Sequence, residues 1–262
     1  MLPLRIAIAL RCFQQPLKDS LQSAAKTGAT GVQIDARYEL KPSELSETGR
    51  RHFVHQLEEL GLSVASLNFP TRSRFCEPER LEERLQATQA AMQLAYRLNA
   101  RVLTLRVGPV PDDPDSEEST VLCNVLNELA RFGNRTGVTI AITPTRESPE
   151  ELARLFATVS EGPIGVNLDP ATFVTSGHDP IAAIRTLHEF LTHVQVRDAV
   201  CDVEGSGLEV PVGRGEVVWD EFLALLDEAD YQGWLTVDRT QGSNPANDAA
   251  RAVRYLQQVA LG

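Results

Sequence analysis

At 262 residues, with 42% apolar and 23% charged side chains, the chain is long enough to bury a core without disulfides or metal, and its make-up excludes a disordered or fibrous protein. Acidic residues outnumber Lys and Arg by 36 to 25, and the resulting formal charge of −11 repels a polyanion, so no nucleic-acid partner is expected. One small anion beside a few converging arginines is still compatible with that charge.

Short apolar runs rich in β-branched residues recur at 5–10, 31–35, 63–69, 101–107, 138–144, 164–169, 191–198 and 234–239, and each predicts a strand. The apolar start, 1–10, contains Arg5, is too short to span a bilayer and lacks a small-residue cleavage site; it reads as the first strand, and no membrane partner is expected. Between the runs lie segments with helical spacing, such as Leu81, Leu85, Thr88, Met92 and Ala95, and later Phe222, Leu225, Leu226 and Ala229. Ser43 and Ser148 stand where helix N-caps are expected, and Gly28, Gly61, Gly137 and Gly233 each fall just before a strand. Eight alternating βα units predict an α/β fold, a (β/α)8 TIM barrel forming one domain over 1–262.

No GxGxxG follows the first strand, and the Gly213-Arg-Gly-Glu216 cluster precedes a helix, so it reads as a turn rather than a phosphate cradle. The Pro- and Asp-rich segment 108–116 follows the fourth strand and is expected to form a rim or lid over the ligand face. Cys12, Cys76, Cys123 and Cys201 are far apart and form no CxxC pair, so neither a zinc site nor a disulfide framework is expected, and a reducing cytoplasm is the simplest compartment.

The last third carries the most specific pattern. Leu191-Thr-His-Val-Gln-Val-Arg-Asp198 is followed by Pro211-Val-Gly-Arg-Gly215, then by Asp230-Tyr-Gln-Gly233 and a strand ending at Asp238. This order resembles the xylose isomerase-like TIM barrels, in the sugar-phosphate isomerase and epimerase branch, and Gly165-Val-Asn-Leu-Asp-Pro170 extends the resemblance backwards. The resemblance implies a divalent cation held by Glu, Asp, His and Glu at four strand ends, with the two Glu also moving protons on the sugar. Here those positions are Thr143, Asp169, Gln195 and Asp238, so the resemblance implies a degenerate metal site. No residue is assigned as a metal ligand; two carboxylates, an amide and a hydroxyl leave room only for a weakly held Mg²⁺ or Ca²⁺ at Asp169 and Asp238.

Thr143 is no base at neutral pH, so symmetric two-carboxylate proton exchange is lost at the inherited positions. The catalytic candidates are Asp238, as a one-sided base, and Asp169. Arginines recur at strand ends, at Arg11, Arg37, Arg106, Arg197 and Arg239, and alternation points Arg197 the same way as Gln195 and Asp238 opposite to Arg239. Arg106, Thr143, Gln195 and Arg197 are the substrate-binding candidates, with Arg106 and Arg197 either pairing with Asp169 and Asp238 where the metal would sit or holding an anionic ligand. Asp198 reads as structural, and His193 as a barrel-interior residue. The expected function is a sugar or sugar-phosphate isomerase or epimerase with altered or lost metal-dependent proton transfer, acting on a small polyhydroxylated or acidic molecule. The alternative is a non-catalytic barrel that binds a ligand or partner. An abasic-site endonuclease, from the same superfamily, is disfavoured by the missing histidines and the −11 charge.

Overall fold

The computed structural model describes residues 4–201 and 207–259. All eight predicted strands form, as β1 (Arg5–Ala9), β2 (Gly31–Asp35), β3 (Ser63–Asn68), β4 (Val102–Leu105), β5 (Thr139–Ile142), β6 (Ile164–Leu168), β7 (Leu191–Val196) and β10 (Trp234–Val237). They close into one parallel barrel in the order β1-β10-β7-β6-β5-β4-β3-β2. Residues 1–3 of the predicted first strand region lie outside the described residues.

The helices follow their strands: α1 (Leu17–Ala25), α2 (Glu47–Glu59), α3 (Leu81–Arg97), α4 (Glu117–Thr136), α5 (Pro149–Ala157), α6 (Pro170–Thr175), α7 (Pro180–Leu187), α8 (Trp219–Glu228) and α9 (Pro245–Val259). On α3 the predicted stripe is the buried one, with Leu85, Thr88, Met92 and Ala95 facing the sheet. Ser148 closes a full capping box with Glu151 at the start of α5, each satisfying an amide at the other's position. Ser43 does not cap α2. Pro42–Glu44 is a separate 3-10 turn, and Ser46 accepts the Gly49 amide instead at 3.1 Å.

The seventh predicted strand ends earlier than its apolar pattern. The chain leaves the barrel at Arg197 and runs into a two-stranded antiparallel hairpin, β8 (Asp198–Cys201) and β9 (Gly207–Val210), before α8. That hairpin was not visible as a strand pair in the sequence, because only four residues pair on each side.

Apolar side chains fill the layer between sheet and helices, whereas the barrel interior is polar. Gln33, Ser66, Thr104, Asn167, His193, Gln195 and Thr236 are all buried there. His193 is the hub: its Nδ1 lies 2.7 Å from Asn167 Oδ1, an atom that only accepts, so Nδ1 carries the proton and donates. Its Nε2 then accepts from the hydroxyls of Ser66 and Thr236 at 3.0 and 2.9 Å. Burial, with Arg11 nearby, pushes its pKa down to about 3, so the imidazole is neutral.

Candidate functional site

Strand alternation aims side chains at or just beyond the ends of β1, β2, β5, β6, β7 and β10 at the C-terminal mouth of the barrel, the face on which barrels of this kind carry their ligands. Arg11, Asp35, Thr143, Asp169, Arg197 and Asp238 stand there, and most of their charges are already matched.

Asp238 is gripped by Arg11, with Nε to Oδ1 at 2.9 Å and the second nitrogen to Oδ2 at 2.5 Å, a bidentate fork. Burial alone would push the Asp238 carboxyl up, but Arg11, helped by Arg197, holds it below the usual carboxylate range. The guanidinium is stabilised in turn: burial opposes its charge, and Asp238 more than offsets that. Cys12 packs behind the pair, 3.8 Å from Asp238 Oδ1, and burial beside that carboxylate pushes its thiol up, so it is no nucleophile.

Asp169 serves two partners at once. Oδ1 accepts the Thr172 amide as the cap of α6, and Oδ2 accepts from Arg197 at 2.7 Å. Arg197 reaches on to Glu209 of β9 at 2.6 Å, and the charge of Asp169 is the largest influence raising its pKa. Glu209 also faces Arg239 at 3.1 Å, and Arg239 lies 3.5 Å from Asp248. An unbroken chain of alternating charge therefore runs from β6 across the mouth to α9. Alternation correctly separates Asp238 from Arg239: the first turns into the mouth toward Arg11, the second toward Glu209 and Asp248.

Gln195, two residues before Arg197, is held one level deeper, and Thr143 is tied to it through Asn167. Thr143 Oγ accepts from Asn167 at 2.8 Å, and Gln195 exchanges hydrogen bonds with Gln33 while accepting from Asn167. Of the predicted binding residues, Arg106 alone is exposed and makes no ion pair among the described residues. It lines a cavity of about 260 Å³ together with Thr145, Thr172, Thr175, Arg197 and Glu209. The expected pairing of Arg106 or Arg197 with Asp238 is replaced by Arg11, and the acidic partner of Arg197 besides Asp169 is Glu209.

Sequence reasoning missed Glu209 and Glu39. Glu39 folds back from the β2 end, accepts the Asp35 amide at 2.7 Å, and is raised to about 7 chiefly by burial. Neither follows a strand of the barrel directly, so the alternation that found Asp169 and Arg197 had no purchase on them. Asp198 is structural as expected: it accepts the amides of Ala199, Gly213, Gly215 and Val217 and the indole N–H of Trp219. The Gly213 cluster is accordingly a turn wrapped on a carboxylate, and a Cβ at Gly215 would collide with Asp198.

The segment 108–116 follows β4 at the C-terminal end of the barrel, as expected, but does not reach the 260 Å³ cavity. Pro109, Val110 and Pro111 line a separate cavity of about 710 Å³ with Leu122 of α4 and Leu155 of α5, outside the barrel, and none of 108–116 lines the 260 Å³ cavity. Glu147 staples this loop in place by accepting the Val110 amide.

The four positions that would hold a divalent cation do not fit one as arranged. Both oxygens of Asp238 face a guanidinium, Asp169 is divided between Arg197 and a helix cap, and Gln195 and Thr143 are engaged by neutral amides. Among the described residues no group of three or more His, Cys, Asp or Glu side chains is placed to hold a metal ion. Nor is any described helix long and apolar enough to cross a membrane.

Inosose dehydratase of Clostridium beijerinckii is 26% identical over 167 residues, and the chain spans 55% of that relative's length. Inosose dehydratase 2 of Bacillus cereus is 22% identical over 282 residues, covering 94% of this chain and 91% of the relative. Among solved structures, a xylose isomerase domain protein from Planctomyces limnophilus superposes with a TM-score of 0.85 at 21% identity, covering 98% of this chain and 97% of the other. A xylose isomerase-like TIM barrel protein from Mycobacterium smegmatis, in complex with magnesium, gives 0.79 at 17% identity and covers 98% and 96%. At these identities the superpositions establish the barrel and no more. The profile of the xylose isomerase-like TIM barrel family, however, matches residues 21–259. The closed eight-stranded barrel and this near full-length match together place the chain in the xylose isomerase-like TIM barrel family.

Proposed function

We propose that this chain binds a small polyhydroxylated or acidic carbohydrate at the barrel mouth, and that the metal-dependent proton transfer of sugar isomerases and epimerases is altered or lost in it. The observation that carries the reading is the arginine at each inherited carboxylate: Arg11 on Asp238 and Arg197 on Asp169. A carboxylate held in a bidentate fork, with its pKa depressed, is a poor base for a carbon-bound proton. In this reading Asp238 and Asp169 position guanidinium groups, Arg106 and Arg197 contact the ligand, and Thr143 and Gln195 set the polar floor beneath it. A hydroxyl-rich ligand suits that floor of amides and hydroxyls.

The ligand is small in this reading, and neither a nucleic acid nor a membrane is a partner, in keeping with the charge of −11. A cytoplasmic location accords with the four free cysteines, two of which, Cys123 and Cys201, are half-buried.

The names of the curated relatives make inosose the first probe, followed by sugar acids. Isothermal titration of wild type and Arg106→Ala in the presence of EDTA is the test. Metal-independent binding that weakens by about tenfold in Arg106→Ala, the loss expected for one charge-assisted contact, supports the proposal. A stoichiometric metal in the purified protein that disappears in Asp169→Ala, or binding indifferent to Arg106, overturns it.

A further inference from the structure

The charges at the mouth can be matched group by group. Arg11 and Asp238 neutralise each other. In the chain that follows, two guanidiniums, Arg197 and Arg239, face three carboxylates, Asp169, Glu209 and Asp248. One negative charge is thus left over within that chain, and the nearby cation of Arg106 on the cavity wall offsets it. Asp35, at the end of β2, and Glu39 just beyond it, the latter only in its ionised fraction because its pKa is raised to about 7, add further negative charge on the side of Arg11.

Glu209 is central to this balance. Its side chain is only 5% exposed although it belongs to the hairpin rather than the barrel; it bridges Arg197 and Arg239, and with Arg197 and Arg106 it lines the 260 Å³ cavity. Its fit is imperfect. Glu209 Oε1 and the Nε and terminal nitrogen of Arg239 are buried without a well-aligned hydrogen bond, despite the 3.1 Å separation of the ion pair. A carboxylate brought in on an arm thus occupies the place between two arginines that an anionic ligand would otherwise take.

Building on the ligand site proposed above, we propose that Glu209 is a specificity determinant: it acts as a resident counter-anion that restricts the mouth to neutral or monoanionic sugars and rejects phosphorylated ones. A phosphate monoester carries close to two negative charges at neutral pH. It would meet one cation without a direct ion-pair partner among the described residues, Arg106, with the Glu209 carboxylate on the same cavity wall. A sugar carboxylate needs only the single fork that Arg106 presents.

The experiment compares glucuronate with glucose 6-phosphate, which carry a monoanion and a dianion on the same ring, by titration calorimetry at pH 7.5. Wild type is expected to prefer glucuronate. Glu209→Gln, nearly isosteric, should raise the affinity for glucose 6-phosphate relative to glucuronate by at least about fivefold, the effect of removing one charge ~4 Å away at the dielectric of water, and by more where the site is shielded from solvent. Asp248→Asn, which unloads Arg239 from its half-buried end, should move the ratio the same way by a smaller step and serves if Glu209→Gln does not fold. A ratio unmoved by both substitutions, or a wild type that favours the dianion, overturns the inference. Binding of glucuronate that ignores Arg106→Ala points instead to failure of the site proposed above, and binding of neither sugar to wild type or variants sinks both.

Discussion

The interior of the barrel and its mouth solve the same problem, burying polar groups, in opposite ways. Inside, His193, Asn167, Gln195, Gln33 and their hydroxyl neighbours are uncharged and share protons through a closed set of hydrogen bonds. At the mouth, Arg11, Arg197 and Arg239 are charged and each faces a carboxylate. Neutral networks tolerate the loss of water because every donor meets an acceptor, whereas ion pairs tolerate it only while both partners are present. The interior therefore holds only while its groups stay neutral, and the mouth only while each charge keeps its partner.

The sharpest way to break this contrast is Asp238→Ala, which strands Arg11. It should cost about 3 kcal/mol in urea unfolding at pH 7, the lower part of the range for a broken buried pair, because the Arg11 side chain keeps 29% exposure and water relieves part of the loss. A cost below ~1 kcal/mol would mean the pair behaves as a surface one.

Removing the hub of the neutral network comes next. His193→Leu should cost about 2 kcal/mol at pH 7, because Asn167, Ser66 and Thr236 each lose a partner. The pH dependence has a definite sign. The folded pKa of about 3 lies below the ordinary value of 6.5, so between those values the unfolded chain binds the proton first. The stability supplied by neutral His193 is present above pH 6.5 and is lost as the pH falls toward 3, and the variant should lack this part of the acid sensitivity.

The smallest effect sharpens the contrast from the other side. Glu39 is raised from 4.5 to about 7, so the folded state holds its proton more tightly than the unfolded one. Its protonated form is favoured below pH 4.5, and the advantage disappears as the pH rises through 7. Glu39→Gln should therefore be close to neutral at pH 4.5 and stabilising by roughly 1–2 kcal/mol at pH 8, less than the full shift because water still screens this half-buried group. No gain at pH 8 would show that Glu39 is ionised without penalty.

The barrel was legible because its strands keep apolar, mostly β-branched or Leu, residues at alternate positions facing the helices, and because the helices keep one apolar stripe each. Asp169 and Arg197 were legible for the same reason, since a strand fixes which way its last residues point. The partnership of Arg11 with Asp238 was not, because it joins residues at opposite ends of the chain that only barrel closure makes neighbours. Glu209 was hidden by its place on a short hairpin whose pairing carries no strong pattern, and the role of 108–116 by assuming that a loop on the ligand face must cover the mouth.

Asp198 has a consequence for how the molecule opens. α8 has no side-chain cap of its own at Val218, and the amide just before it, from Val217, is satisfied by Asp198 instead, as are those of Gly213 and Gly215. One carboxylate thus fastens the base of the hairpin, the turn and the start of the helix, so these amides should exchange with deuterium at a common rate, as one cooperative unit. The arm that carries Glu209 would then be released from the mouth only by an opening that also frays the seventh βα unit of the barrel, β7 and α8.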